Sequence, residues 1–129
     1  MNSKKNYVPN LLENKILLTI SYLNELEFYP NSEGVYDILK GVINDVTKEF
    51  INCPTFQTII SLPKKRISVR IAMLARYGYL EKVFSYEHND LYLKVSNFGQ
   101  SYLAAYLKKS RGNFAKKIKK TTNSIVKIK

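Results

Sequence analysis

The stretch LPKKRISVRIAMLARYGYLEKVFSYEHNDLYLKV, Leu62 to Val95, changes its apolar period partway along, and that change decides the fold. Ile67, Ile71 and Leu74 recur at spacings of four and three, which puts them on one stripe of a helix. Pro63 stands where a first helical turn tolerates proline, because its missing N–H would have no intrahelical partner there. The spacing predicts a helix to about Tyr77, with Gly78 as its C-terminal stop. Beyond Gly78 the residues become β-rich. Tyr79 to Tyr86 and Leu91 to Val95 read as strands joined by Glu87-His88-Asn89-Asp90. Leu91, Leu93 and Val95 alternate with Tyr92 and Lys94, as a hairpin with one buried face requires.

Upstream, Leu12, Ile16, Leu17, Ile20 and Leu23 predict a helix from about Pro9 to Leu26, after a flexible arm over residues 1–10. Phe28-Tyr29-Pro30-Asn31 breaks it, since proline disfavours helix in the residue before it. Ser32 is expected to cap a short helix through Leu39 that buries Val35, Ile38 and Leu39 and stops at Gly41. Val42, Ile43, Val46, Phe50 and Ile51 fit another helical turn or a loop packed on the core. Thr55 to Leu62 reads as a short helix with Phe56, Ile59 and Ile60 inward. Downstream, Asn97 or Ser96 caps a last amphipathic helix in which Phe98, Tyr102, Leu103 and Tyr106 pack. These parts predict an α+β, mainly helical domain over residues 11–109. The expected form is a winged helix-turn-helix with a C-terminal β-hairpin wing and a final helix, followed by a basic tail over 110–129.

The 129 residues allow one modest core. The single cysteine, Cys53, excludes an intrachain disulfide, and with only His88 beside it a structural zinc site of about four ligands is excluded too. No run approaches the roughly 20 apolar residues of a membrane span, and Asn10, Glu13 and Asn14 interrupt any signal-like start. The expectation is a cytoplasmic protein without membrane partner, metal or cofactor. No glycine-rich phosphate loop, nucleophile elbow or paired-histidine helix is present, so no enzyme chemistry is expected.

The formal net charge is +11, and its placement is informative. Up to Leu107 there are 12 basic and 10 acidic residues; from Lys108 onward there are nine basic residues and no acid. A second acid-free stretch between Glu49 and Glu81 holds Lys64, Lys65, Arg66, Arg70 and Arg76. Two concentrated basic segments on a nearly neutral body favour a polyanionic partner. At the start of the basic helix, Lys64, Lys65 and Arg66 stand beside unpaired backbone N–H groups that attract phosphate. Lys65, Val69, Ala72 and Arg76 fall opposite the core stripe, with Arg66 and Arg70 on a flank; Lys65, Arg66 and Arg70 are expected to be exposed. The wing offers Lys82 and Tyr86 on its first strand and His88 at its tip, where rings can stack on unpaired bases. In the tail, Lys116, Lys117, Lys119 and Lys120 suit contact with phosphates without sequence preference.

The stretch from about Leu12 to Leu107 resembles the RQC winged-helix domain of RecQ-type helicases. The resemblance rests on Tyr29-Pro30 before a helix ending Ile38-Leu39-Lys40-Gly41, on Leu62-Pro63-Lys64-Lys65, on Gly78-Tyr79-Leu80, and on the run Leu91 to Gly99. It implies duplex or junction DNA as partner, phosphate held near Lys64–Arg66, and a wing tip at His88 that meets the end of paired DNA. The helicase motor and zinc module of that family are missing, so ATP-driven strand separation would need a helicase or other replication protein as partner. The expected function is therefore DNA binding as an accessory factor in replication, recombination or repair. The alternatives are a transcriptional regulator of the same fold, which would usually bind as a dimer, or a protein-interaction module docking on a helicase or replisome.

Overall fold

A computed structural model describes residues 7–59 and 61–110. About half of them are helical, and four helices and one antiparallel hairpin make an α+β domain. In chain order these are α1 (Leu11–Glu25), α2 (Ser32–Lys40), a 3-10 turn (Thr47–Phe50), α3 (Lys64–Arg76), β1 (Leu80–Ser85), β2 (Asp90–Val95) and α4 (97–110). This order is compatible with a winged-helix-like layout. No helix among the described residues is long and apolar enough to cross a membrane.

Three helices start where a side chain satisfies their first backbone donors. Asn10 accepts from the Glu13 N–H at 2.8 Å while the Glu13 carboxylate accepts from the Asn10 N–H at 2.9 Å, a reciprocal capping box. Asn31 caps α2 through the Gly34 N–H, so Ser32 moves to the first helical position. The Ser96 hydroxyl accepts from Gly99 N–H at 3.0 Å and is the cap of α4. Helix α2 stops at Gly41, whose φ of +87° suits glycine.

The main core is assembled from all four helices and both strands. Ile16, Leu17 and Ile20 of α1 meet Val35 and Leu39 of α2, the Ile67, Ile71 and Leu74 stripe of α3, Leu80, Leu93 and Val95 of the hairpin, and Leu103 of α4. Full burial of each such side chain contributes roughly 1.5–3 kcal/mol. Asn24 fastens α1 to the wing, donating to the Leu93 carbonyl and accepting from the Val95 N–H. The Pro30 carbonyl accepts from Leu93 N–H at 2.8 Å, so the loop between α1 and α2 lies along β2. The strands pair Leu80 with Val95, Lys82 with Leu93 and Phe84 with Leu91, all on one face. The hairpin outruns the core, which leaves Phe84 and Leu91 exposed.

Several expectations fail for local reasons. Residues 55–59 form turns, not a helix: Gln57 adopts φ +60°, and the N–H groups of Gln57 and Ile59 bond to the carbonyls of Ile38 and Leu39 at the end of α2. Ile60 lies outside the described residues. Between 42 and 51 only Phe50 of the five apolar residues is buried, joining Leu23, Ile38 and Cys53; Val42, Ile43, Val46 and Ile51 are exposed. The helical turn expected as one alternative for this stretch is present as the 3-10 turn Thr47–Phe50, and the Asn44 and Thr47 side chains bond to the backbone at its start. Phe98 is exposed, although its ring still touches Tyr79. Tyr7, from the stretch expected to be a flexible arm, stacks on Tyr77 with ring centroids 4.1 Å apart.

Candidate nucleic-acid interface

With Ile67, Ile71 and Leu74 buried, a turn of about 100° per residue puts Lys65, Val69, Ala72 and Arg76 on the outward face of α3, and all four are exposed. Lys65 and Arg76 lie roughly 16 Å apart along the axis at the usual helical rise. Ser68, Val69 and Ala72 between them are small, so a ligand can approach the helix closely. Pro63 supplies no side-chain cap; its carbonyl takes the Arg66 N–H, which leaves the Lys64 and Lys65 N–H groups of α3 for an outside acceptor. Beside this end, Leu11 and Leu12 of α1 and Lys65, Arg66 and Val69 of α3 line a groove of about 720 Å³.

Tertiary pairing divides the basic residues. The Lys64 ammonium lies 3.0 Å from the Glu33 carboxylate of α2. Arg70 lies 3.6 Å from Glu13, which is fully buried, and the Arg70 side chain itself is only 30% exposed. The expectation that Arg70 is free on an exposed flank is therefore corrected: its charge faces a carboxylate that also accepts from the Asn10 N–H and the Tyr7 hydroxyl. Acids are absent within α3, and the partners come instead from α1 and α2. Lys65, Arg66 and Arg76 form no ion pair among the described residues.

An aromatic network fixes this helix from its far end. Tyr79 donates to the Tyr7 carbonyl at 2.6 Å, and the Tyr102 hydroxyl donates to the Asn14 side chain at 2.6 Å. Burial, together with donation to the Glu13 carboxylate, pushes the Tyr7 phenol up to about 12.

The wing has two unlike sides. Lys82 and Phe84 share one face, and Tyr86, 90% exposed, sets its ring edge-on to Phe84. His88 lies edge-on to Tyr92, whose strand partner is Val83 on the other face. His88 and Tyr92 line a second cleft, of about 790 Å³, whose wall carries Glu27, Glu33, Asp37 and Asp45. Burial and the neighbouring Glu33 charge push the Asp37 carboxyl up. At the tip end of the wing, where Asp90 pairs with Ser85, a hydrogen bond from Asn31 and the Leu91 N–H hold the Asp90 carboxyl below its usual range. The structure thus gathers Lys65, Arg66 and Arg76 on one helix, assigns Lys64 and Arg70 to carboxylates, and sets His88 among acids. Lys116, Lys117, Lys119 and Lys120 lie outside the described residues.

Glu13 and Asn31 were missed as organising residues. Asn10-x-x-Glu13 carries a capping-box spacing, so Glu13 had a local signal; the Asn31–Asp90 bond, across 59 positions, had none. Among the described residues no group of three His, Cys, Asp or Glu side chains could hold a metal ion. No family model matches this chain, and comparison with curated proteins and with solved structures finds no significant match.

Proposed function

We propose that this chain is a DNA-binding protein of winged-helix type, in which α3 is the recognition helix and the β1–β2 hairpin is the wing. The observation that carries the reading is the outward stripe of α3: cations at both ends, small side chains between, and no acid along its length. A major groove about 12 Å wide accepts such a helix, with Val69 and Ala72 placed for apolar contact with thymine methyl groups. Lys65, Arg66 and Arg76 then meet phosphates and supply most of the affinity. Lys82 and Tyr86 extend the contact along the wing. The resemblance to RQC domains points to a duplex end or junction, and to an accessory role in replication, recombination or repair in the cytoplasm. In this reading the ring that meets unpaired bases is Tyr86, because carboxylates beside His88 repel the phosphate backbone.

The test titrates the full chain against duplex, single-strand and forked DNA at two salt concentrations. The expected result is affinity that falls with salt, with a log–log slope of about −0.9 for each phosphate neutralised. Replacing Lys65, Arg66 and Arg76 with alanine should flatten that slope by nearly three such steps and leave the melting temperature unchanged. Salt-independent binding, or no binding to any of the three DNAs, overturns the reading. Fork preference that Tyr86→Ala abolishes and His88→Ala spares would assign the wing tip.

A further inference from the structure

The cleft beneath the wing has chemistry opposite to that of α3. Its carboxylates come from three separate segments: Glu27 after α1, Glu33 and Asp37 on α2, and Asp45 before the 3-10 turn. Between them lie Tyr29 and Tyr92, and Val46 and Ile43 stand exposed beside Asp45. Lys64 and Lys48 answer Glu33 and Asp45 at the margin, while the polar contact of Asp37 is the neutral amide of Asn44. Such a concavity favours a ligand that brings several cations and a few apolar side chains. One segment of this chain has that composition. Residues 111–129 carry seven basic residues and no acid, with Phe114, Ile118, Ile125, Val126 and Ile128 interspersed.

We propose that this cleft is the docking site of the chain's own C-terminal segment, residues 111–129, which in that position is withheld from nucleic acid. The withholding rests on the proposed DNA-binding function; the docking does not. Reach is not limiting. An extended chain spans about 3.3 Å per residue, so these residues cover roughly 60 Å, against a radius of gyration near 13 Å for a domain of about 100 residues. Lysine ammonium groups replace the water around Asp37 and Asp45, and the isoleucines meet Tyr29, Tyr92 and Val46. DNA offers the same lysines a denser row of anions, so it competes with the cleft.

Zero-length carbodiimide coupling of the native full chain, without DNA and at low concentration, tests the docking. Peptide mapping should find Lys116–Lys120 joined to Glu27, Glu33, Asp37 or Asp45 in preference to Glu25, Glu49, Glu81 or Glu87. Coupling spread evenly over the acids overturns the proposal. So does coupling found chiefly between isotopically distinct copies in a mixed sample, which would make the occupant a second molecule. The Glu27→Gln, Asp45→Asn variant changes exposed side chains only, and it should lose the preferred coupling and bind DNA several-fold more tightly. Cleft coupling in a chain that binds no DNA would leave the docking standing and remove the function proposed above. DNA binding with evenly spread coupling would do the reverse.

Discussion

Arg70 separates a phosphate-binding role from a structural one. Its guanidinium lies 3.6 Å from a carboxylate that has no solvent exposure. At an effective dielectric near 20, that separation corresponds to about 5 kcal/mol of attraction. The value for Arg70→Ala must be smaller, because the arginine is partly solvated and Glu13 keeps its bonds from Asn10 N–H and Tyr7 hydroxyl. About 2 kcal/mol is expected, a fall of about 8–16 °C in melting temperature for a domain of this size. Glu13→Gln should cost about half as much, since the remaining arginine can turn toward water. The double variant should then cost less than the two single changes together, because the pair is in contact. Thermal and urea unfolding followed by circular dichroism give all three values. An Arg70→Ala value within about 0.5 kcal/mol of the native chain refutes the structural role. So does a folded Arg70→Ala that flattens the salt dependence of DNA binding by the 0.9 step that each of Lys65→Ala and Arg66→Ala is expected to remove.

Leu74→Ala truncates a fully buried side chain on the inner stripe of α3 and should cost about 2–5 kcal/mol, leaving DNA affinity unchanged below its melting temperature. Deleting residues after Arg111 should leave the domain folded, weaken DNA binding and flatten its salt slope; equal affinity and slope would remove the tail from the contact. Asp37 titrates above its usual value because burial and Glu33 disfavour its charge, so the ionised carboxylate costs stability at neutral pH. In a chain ending at Arg111, which lacks the segment proposed to dock beside it, Asp37→Asn should therefore raise stability at neutral pH. The advantage should fade as the pH falls through the raised folded pKa, because the native carboxyl is then neutral as well; unfolding midpoints across the acid range check the sign.

What the sequence discloses here is whatever is written in neighbouring residues. The Ile67, Ile71, Leu74 stripe, the glycine at Gly41 and the alternation of Leu93 and Val95 act within a turn or two, and each appears where periodicity put it. The segment 55–59 is different. Phe56 and Ile59 have helical spacing, but the Leu39 carbonyl at the end of α2 takes its donor from Ile59 in a turn, and Gln57 adds a second bond to the Ile38 carbonyl, which also accepts from Gly41. Propensity yields to that requirement because an unmet backbone acceptor in a packed site costs more than a short helix gains. Val42, Ile43 and Val46 mislead for a related reason: their hydrophobicity is evident, but the hydrogen bonds of Asn44 and Thr47 set a turn that faces them outward.

The candidate site was legible as a helix face but not as a charge distribution. Counting cations on α3 cannot show which are free, because Glu13 and Glu33, which pair with two of them, belong to other helices. Pairing does more than subtract charge. It leaves unpaired cations on the outward stripe of α3 and four carboxylates around the cleft beneath the wing, with the Lys64–Glu33 pair joining the two regions. A body of nearly neutral net charge therefore carries a strong internal asymmetry. Under the proposed function, that asymmetry orients a polyanion more effectively than a uniformly basic surface would, because approach from the cleft side is repelled while approach along α3 is favoured. Neutralising the cleft should accordingly relax the orientation of bound DNA even where it raises the affinity.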